Sequence, residues 1–394
     1  MNHLQITLQQ HSVRLVPLLL VALALLTVGF AAPDQTFTQV CPGTPLETRT
    51  PDFQPGGIIL TAFDKSGLWV YNIDNSSRYP LPDTRPCNRQ CRLSPDARWI
   101  TYIDPLTAAI GKMRLDGTQR TPLSDYALDI EWWPDNRLFI WTPGHQGYWR
   151  AEESSDINFV DVSSIVSIQP GGHWGLYIEQ TGDTFTRSLL NLDTRGLQGI
   201  AGNQVMLGED TPYFNATSWS PDGSQFAYAA PVIYDDNVQL EGAELFVAMP
   251  DQGQIQQLTD LNETYGAVRI NGGLRADLSW SPDGTHIAFW VIELLGPDFE
   301  ANTGSARIHV VDTLTQDVRV YCGFSTDEHT PDPPRLHWSP GGTHIAFAGN
   351  VPADDKGYLL LTLDIETGVF TELSDGVFPA LGKADVVTWG LPPG

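Results

Sequence analysis

Basic residues are scarce in this sequence. There are 22 Lys and Arg against 47 Asp and Glu, a formal net charge of −25. A surface of that sign repels phosphate backbones and argues against nucleic-acid partners. The chain also lacks helix-period stretches, and beyond Phe30 it lacks any apolar run of membrane length. Several catalytic signatures are missing too. There is no G-x-S-x-G elbow to seat a hydrolase nucleophile, no H-E-x-x-H, no EF-hand loop and no dinucleotide fingerprint. Hydrophobic residues nevertheless make up 41% of the 394 residues, ample for a sizeable core.

The N-terminus reads as a targeting segment. Arg14 precedes the apolar run Leu15–Phe30, and Gly29-Phe30-Ala31 places small residues before a cleavage point at Ala32. Residues 1–31 are therefore expected to be a signal peptide, with an N-terminal anchor as the alternative. Residues 32–52 read as a linker. The expected location is periplasmic, cell-surface or secreted, with no membrane span after cleavage. Cys41 follows Val40 where a lipidation site needs a small residue. An even set of four cysteines in an exported chain suggests disulfides. Cys87 and Cys91 are close enough to form a local loop, which leaves Cys41 and Cys322 to pair across blades. The rival zinc reading of C-x3-C has no second pair at ligand spacing.

Internal repeats organise the remainder. Trp219-Ser-Pro-Asp-Gly, Trp280-Ser-Pro-Asp-Gly and Trp338-Ser-Pro-Gly-Gly each lead into an alternating apolar strand. Weaker copies start at Leu93, Trp132, Ile168 and Phe53. Pro presets the turn, Asp bonds back to the local backbone, and Gly takes the left-handed angle. The motif prolines stand at 55, 95, 134, 170, 221, 282 and 340. The first intervals match the roughly 40 residues of a four-stranded blade, and the later ones carry insertions. The fold class is therefore all-β: a seven-bladed β-propeller of four-stranded antiparallel blades over residues 53–394, with six or eight blades as alternatives. Val386-Val-Thr-Trp-Gly390 resembles the strand before a turn, so the C-terminal strand should complete the first blade. Trp219, Trp280 and Trp338 recur at one repeat position and read as structural anchors between sheets.

The W-S-P-D-G-x-x-I-A-F frame resembles the TolB-like, WD40-like (PD40-type) repeat of bacterial periplasmic proteins. The same repeat builds the propeller of prolyl-oligopeptidase-family enzymes. The resemblance covers the chain from about residue 53 and speaks to fold far more than to function. Neither the α/β domain before TolB's propeller nor a peptidase hydrolase domain is recognisable in this sequence. TolB-like propellers include oligogalacturonide lyases, which hold a divalent metal with histidines near the ring axis. Here His286 and His344 follow the turns and read as solvated hairpin residues, while His145, His173, His309, His329 and His337 are scattered. No catalytic residue, metal ligand or cofactor is assigned on these grounds, although a divalent cation is compatible with the acidic loops.

The function expected is that of an exported, non-catalytic, monomeric module binding a protein, peptide or glycan. The alternative is a propeller enzyme acting on polysaccharide, a lyase or glycosidase using a metal or carboxylates. Long insertions in the fifth to seventh blades should share one face: Asn203–Ala216, Pro231–Gly242, Leu261–Ala276, Ile292–Ser305, Gly323–Arg335 and Asn350–Gly357. Their mixed aromatics and acids nominate Tyr234, Asp235, Asp236, Glu293, Asp298, Phe299, Glu300, Phe324, Asp327 and Glu328 as ligand-binding residues.

Overall fold

In the computed structural model, the described residues are 35–394 except 64–66, 85–90, 126, 143–145, 152–155, 207–215, 232–241, 272–276, 296–302, 323–331, 351–357 and 378–383. They form seven sheets. A representative blade, the fifth, runs outward as Thr217–Trp219, Phe226–Ala230, Glu244–Met249 and Gln254–Gln257, each strand antiparallel to the last. In the second blade the innermost position is held by the single bridge Leu93↔Ile100. Among the described residues no helix is long and apolar enough to cross a membrane.

The turn motif works through its side chains. Ser220 Oγ donates to Asp222 Oδ1 (2.6 Å) and accepts from the Gln225 amide (3.0 Å), while Asp222 Oδ1 accepts from the Ser224 amide (3.0 Å). Gly223 takes φ 74° to close the hairpin. The weaker copies keep the geometry without glycine: Ala97 at φ 57° and Asn136 at φ 61° occupy the same place. The cost of a left-handed Ala is about 1–2 kcal/mol, and Asn tolerates the region better.

Trp219, Trp280 and Trp338 are buried, at 9%, 8% and 6% exposure. Trp280 Nε1 donates to Ser218 O (3.2 Å) and Trp338 Nε1 to Ser279 O (2.9 Å), so each indole pins its blade to the innermost strand of the blade before. Ring closure follows the sequence expectation. Ala384–Gly390 is the innermost strand of the first blade and pairs antiparallel with Ile58–Phe63. Arg335 Nε donates to Asp385 Oδ2 at 2.7 Å, tying the seventh blade to the closing strand.

The segment read as a linker contributes strands instead. Phe37–Val40 pairs parallel with Val318–Tyr321, the outermost strand of the sixth blade, and Leu46–Thr48 pairs parallel with the outer strand Phe370–Val377 of the seventh. The physical reason is edge satisfaction: an outermost strand presents unpaired amides and carbonyls, and this segment covers two such edges. Gln35 bridges the fifth and sixth blades, donating to Leu258 O (2.5 Å) and Gln316 O (2.9 Å). At the far end Arg49 donates to Ile73 O and Ser76 Oγ of the first blade. Cys41 and Cys322 are disulfide-bonded, fixing this belt to the sixth blade. Cys91 is also in a disulfide, whereas Cys87, its expected partner, lies outside the described residues.

Two stability outcomes follow. Cys322→Ser frees a crosslink between residues 281 apart in sequence and should cost about 2–5 kcal/mol in urea unfolding, with the native β circular dichroism kept. Trp280→Ala should cost about 3–5 kcal/mol by the same measurement. An unchanged midpoint for either variant removes the role assigned to that residue.

Candidate functional site: the axial ionic cluster

The repeat defines which side chains meet the ring axis. On the innermost strands of the third, sixth and seventh blades, half-buried and fully buried residues alternate over residues 129–132, 277–280 and 335–338. The position two before the motif Ser, or its equivalent, is half-buried in Arg92, Glu131, Ser167, Ser218, Ser279 and His337. These six share one repeat position on the innermost strands, the strands nearest the ring axis. Two positions earlier stand Asp129, Asp277 and Arg335, also half-buried, towards the start of their strands. Serines fill the tier on the fourth to sixth blades. Charged groups come from the first, second, third, sixth and seventh.

Those charges interact across the ring. Arg92 Nη2 lies 4.0 Å from Glu131 Oε1. Burial works against the Arg92 charge, but the fields of Asp129, Glu131 and Asp277 outweigh it and hold its pKa above the usual arginine value. Arg335 and Asp385 form a pair with only 13% and 8% of their side chains exposed. His337 sits among these groups with its pKa pushed down to about 4, first by burial and then by Arg335; Asp385 and Asp277 oppose the shift. Its Nε2 is buried and has no hydrogen-bond partner in the described structure. A buried, unpaired polar atom costs about 1–3 kcal/mol and calls for an explanation.

Other ionisable groups act as struts. Glu244 is fully buried. Its Oε2 accepts from Thr259 Oγ1 (2.7 Å) and the Leu261 amide (2.8 Å), and Oε1 accepts from the Asn262 amide (2.8 Å), so it holds the turn Leu261–Tyr265. Burial pushes its pKa up to about 7. His309 is buried and neutral, its pKa lowered to about 4 by burial; it shares a hydrogen bond with Tyr265 Oη (3.0 Å). His286 and His344 are not solvated hairpin residues. They are partly buried and face Asp312 (3.7 Å) and Asp364 (3.8 Å), carboxylates at the ends of neighbouring strands. A separate groove of about 520 Å³, with the belt residues Thr36 and Thr38 in its wall, holds His286, Asp312, Asp317 and Arg319. Asp312 Oδ1 already accepts from the Leu314 and Thr315 amides (2.8 and 2.9 Å).

Of the ligand-face residues expected from sequence, only Glu293 is described. It is half-buried on His286–Leu294, in register with Val268 and next to Gly304. Tyr234, Asp235, Asp236, Asp298, Phe299, Glu300, Phe324, Asp327 and Glu328 lie outside the described residues, as do His145 and His329. Among the described residues no three His, Cys, Asp or Glu side chains converge as a metal-ligand set. The axial residues escaped the sequence reading, although the repeat frame that named the Trp anchors also places them.

No family model matches the chain. No curated protein matches it either. Similar solved structures exist. TolB from Acinetobacter baumannii is 14% identical, with 91% of this chain and 98% of that one covered at a TM-score of 0.41. An oligogalacturonate lyase from Vibrio parahaemolyticus is 11% identical, covering 82% and 87% at 0.50. The Cps50 (Swd1) β-propeller domain of Myceliophteria thermophila is 10% identical, covering 81% and 98% at 0.42. Likeness at such identity concerns the fold alone.

The depressed histidine pKa values set a pH dependence. His309 and His337 have folded pKa values of about 4, below the model-peptide value of 6.5. Their contribution to stability is complete above pH ~6.5 and is lost as pH falls through ~4, because the unfolded chain takes up the protons first. Imidazole 15N spectra at pH ~5.5 should show both rings neutral. A protonated His337 at that pH contradicts its assignment.

Proposed function

We propose that this chain is an exported, non-catalytic propeller of the PD40 kind that binds a protein, peptide or glycan at the axial end of its ring. The observation that carries this reading is the meeting of charged side chains from four blades, Arg335, Asp385, Asp277 and Arg92, around one unpartnered imidazole. Such buried polar groups recognise a ligand by completing their own hydrogen bonding. The Leu15–Phe30 run supports export, as does the disulfide between Cys41 and Cys322, since such bonds persist in oxidising compartments. The acidic surface favours basic partners and would speed their encounter.

A second reading draws on the same imidazole. An imidazole and carboxylates gathered in one cluster are also groups that a polysaccharide lyase or glycosidase could use, with or without a metal. Affinity capture from the native envelope, with the mature protein as bait, separates the two. A stable partner lost on Glu131→Gln, with an unchanged melting midpoint, is the expected result. Cleavage within a panel of polysaccharides, abolished by His337→Gln, overturns the binding-module reading. Export is checked by N-terminal sequencing, with Ala32 expected as the first residue; an intact Met1 in the membrane fraction means an anchor.

A further inference from the structure

The belt differs in kind from the ring it encircles. Its strands, Phe37–Val40 and Leu46–Thr48, are four and three residues long and contain no fully buried side chain. Both pair parallel with their neighbours, which is slightly less stable per residue than antiparallel pairing. Pro42 and Pro45 between them have no amide to donate. The apolar contacts are those of half-buried side chains. Phe37 stands edge-on to Tyr265 with 6.0 Å between ring centroids, while Val40 and Leu46 pack at the margin of the core between the sixth and seventh blades. The ring strand His286–Leu294, by contrast, buries every side chain from Ile287 to Ile292. Segments with few buried contacts and exposed backbone hydrogen bonds open locally, ahead of the rest of a structure.

The covalent tie sits where such a segment needs it. Cys41 stands between the two belt strands, and Cys322 directly follows Val318–Tyr321. Both cysteines are exposed, whereas Cys91 is buried. A dithiol can therefore reach the belt bond from solvent. One of its thiolates attacks one sulfur, and the other cysteine leaves as a thiolate. The second thiol of the reductant then closes on the first and releases the remaining cysteine. Two electrons pass to the protein, both cysteines end as thiols, and the reductant ends as a disulfide.

We propose that the belt is a strap separable from the ring, latched by the thiol-sensitive bond between Cys41 and Cys322. Its release has local consequences. The amides of Val318, Cys322 and Phe370 lose the carbonyls of Thr36 (2.9 Å), Val40 (3.3 Å) and Pro45 (2.8 Å). The outer edges of the sixth and seventh blades are then open to pairing with another chain. The groove of about 520 Å³ loses the wall made by Thr36, Thr38 and Val40. The strap concerns the rim and is independent of the axial site proposed above.

The test places a site-specific protease sequence in the exposed turn Thr50–Asp52, where belt meets ring, in the full chain and in its Cys322→Ser form. After cutting, size-exclusion chromatography at about 1 μM protein follows the belt fragment, and far-ultraviolet circular dichroism follows the ring. The fragment should stay with the wild-type ring and leave the Cys322→Ser ring, whose β spectrum is kept. Cut wild-type protein treated with a dithiol should separate in the same way, which needs no cysteine substitution. A fragment that remains on the Cys322→Ser ring, or on the reduced wild-type ring, shows that non-covalent contacts suffice and overturns the inference. Loss of the β spectrum on release makes the belt an integral part of the fold and overturns it equally. Brief dithiol treatment of the uncut chain, followed by alkylation and peptide mapping, should label Cys41 and Cys322 before Cys91. Labelling in the reverse order removes the thiol-sensitive latch.

Discussion

Every blade of this ring packs on two neighbours, and the first blade draws its own four strands from both ends of the chain. The pairing of Ala384–Gly390 with Ile58–Phe63 therefore carries the cooperativity of the whole. If that pairing opens, the ring gains two exposed faces, and the apolar contacts that Trp389 and Leu60 make there are lost. Closure is reinforced at three radii. On the axis, Arg335 binds Asp385; in the sheet, the strands pair antiparallel with one register shift at Leu60–Thr61; at the rim, the belt runs from Gln35 on the fifth blade to Arg49 on the first. The disulfide stands on the belt, where it limits how far the rim can open.

Much of this was legible because the fold is written seven times. A turn that needs Ser, Pro, Asp and a left-handed residue leaves a short-range signature, and repetition lifts it above chance. The degenerate copies were readable for the same reason: Asn136 keeps the left-handed angle where Gly is absent. The belt was not legible. Phe37–Val40 and Leu46–Thr48 are short, interrupted by Pro42 and Pro45, and become strands only because a free edge awaits them. Tertiary context decided their structure, and no local pattern announces it.

The site was harder than the fold for a related reason. Sequence reasoning sought function in what differs between blades, the long insertions. The axial cluster instead uses one position of the repeat itself. Arg92, Glu131 and His337 stand where other blades carry Ser167, Ser218 and Ser279. Each substitution alone looks like ordinary variation on a strand. Their meaning comes from cyclic geometry, which brings residues more than two hundred positions apart to one axis, as Arg92 and His337 show.

That geometry also explains why the imidazole can stay neutral in so acidic a protein. Nearby carboxylates favour the protonated ring, as Asp385 and Asp277 do here, yet burial and Arg335 prevail over them. The two arginines thus have a double effect. They stabilise the acids that would otherwise repel one another around the axis, and they keep His337 uncharged. Removing Arg92 would leave Asp129, Glu131 and Asp277 without the guanidinium they share, and would raise the proton affinity of His337. The effect of the two arginines persists across the neutral range, because an arginine does not release its proton there.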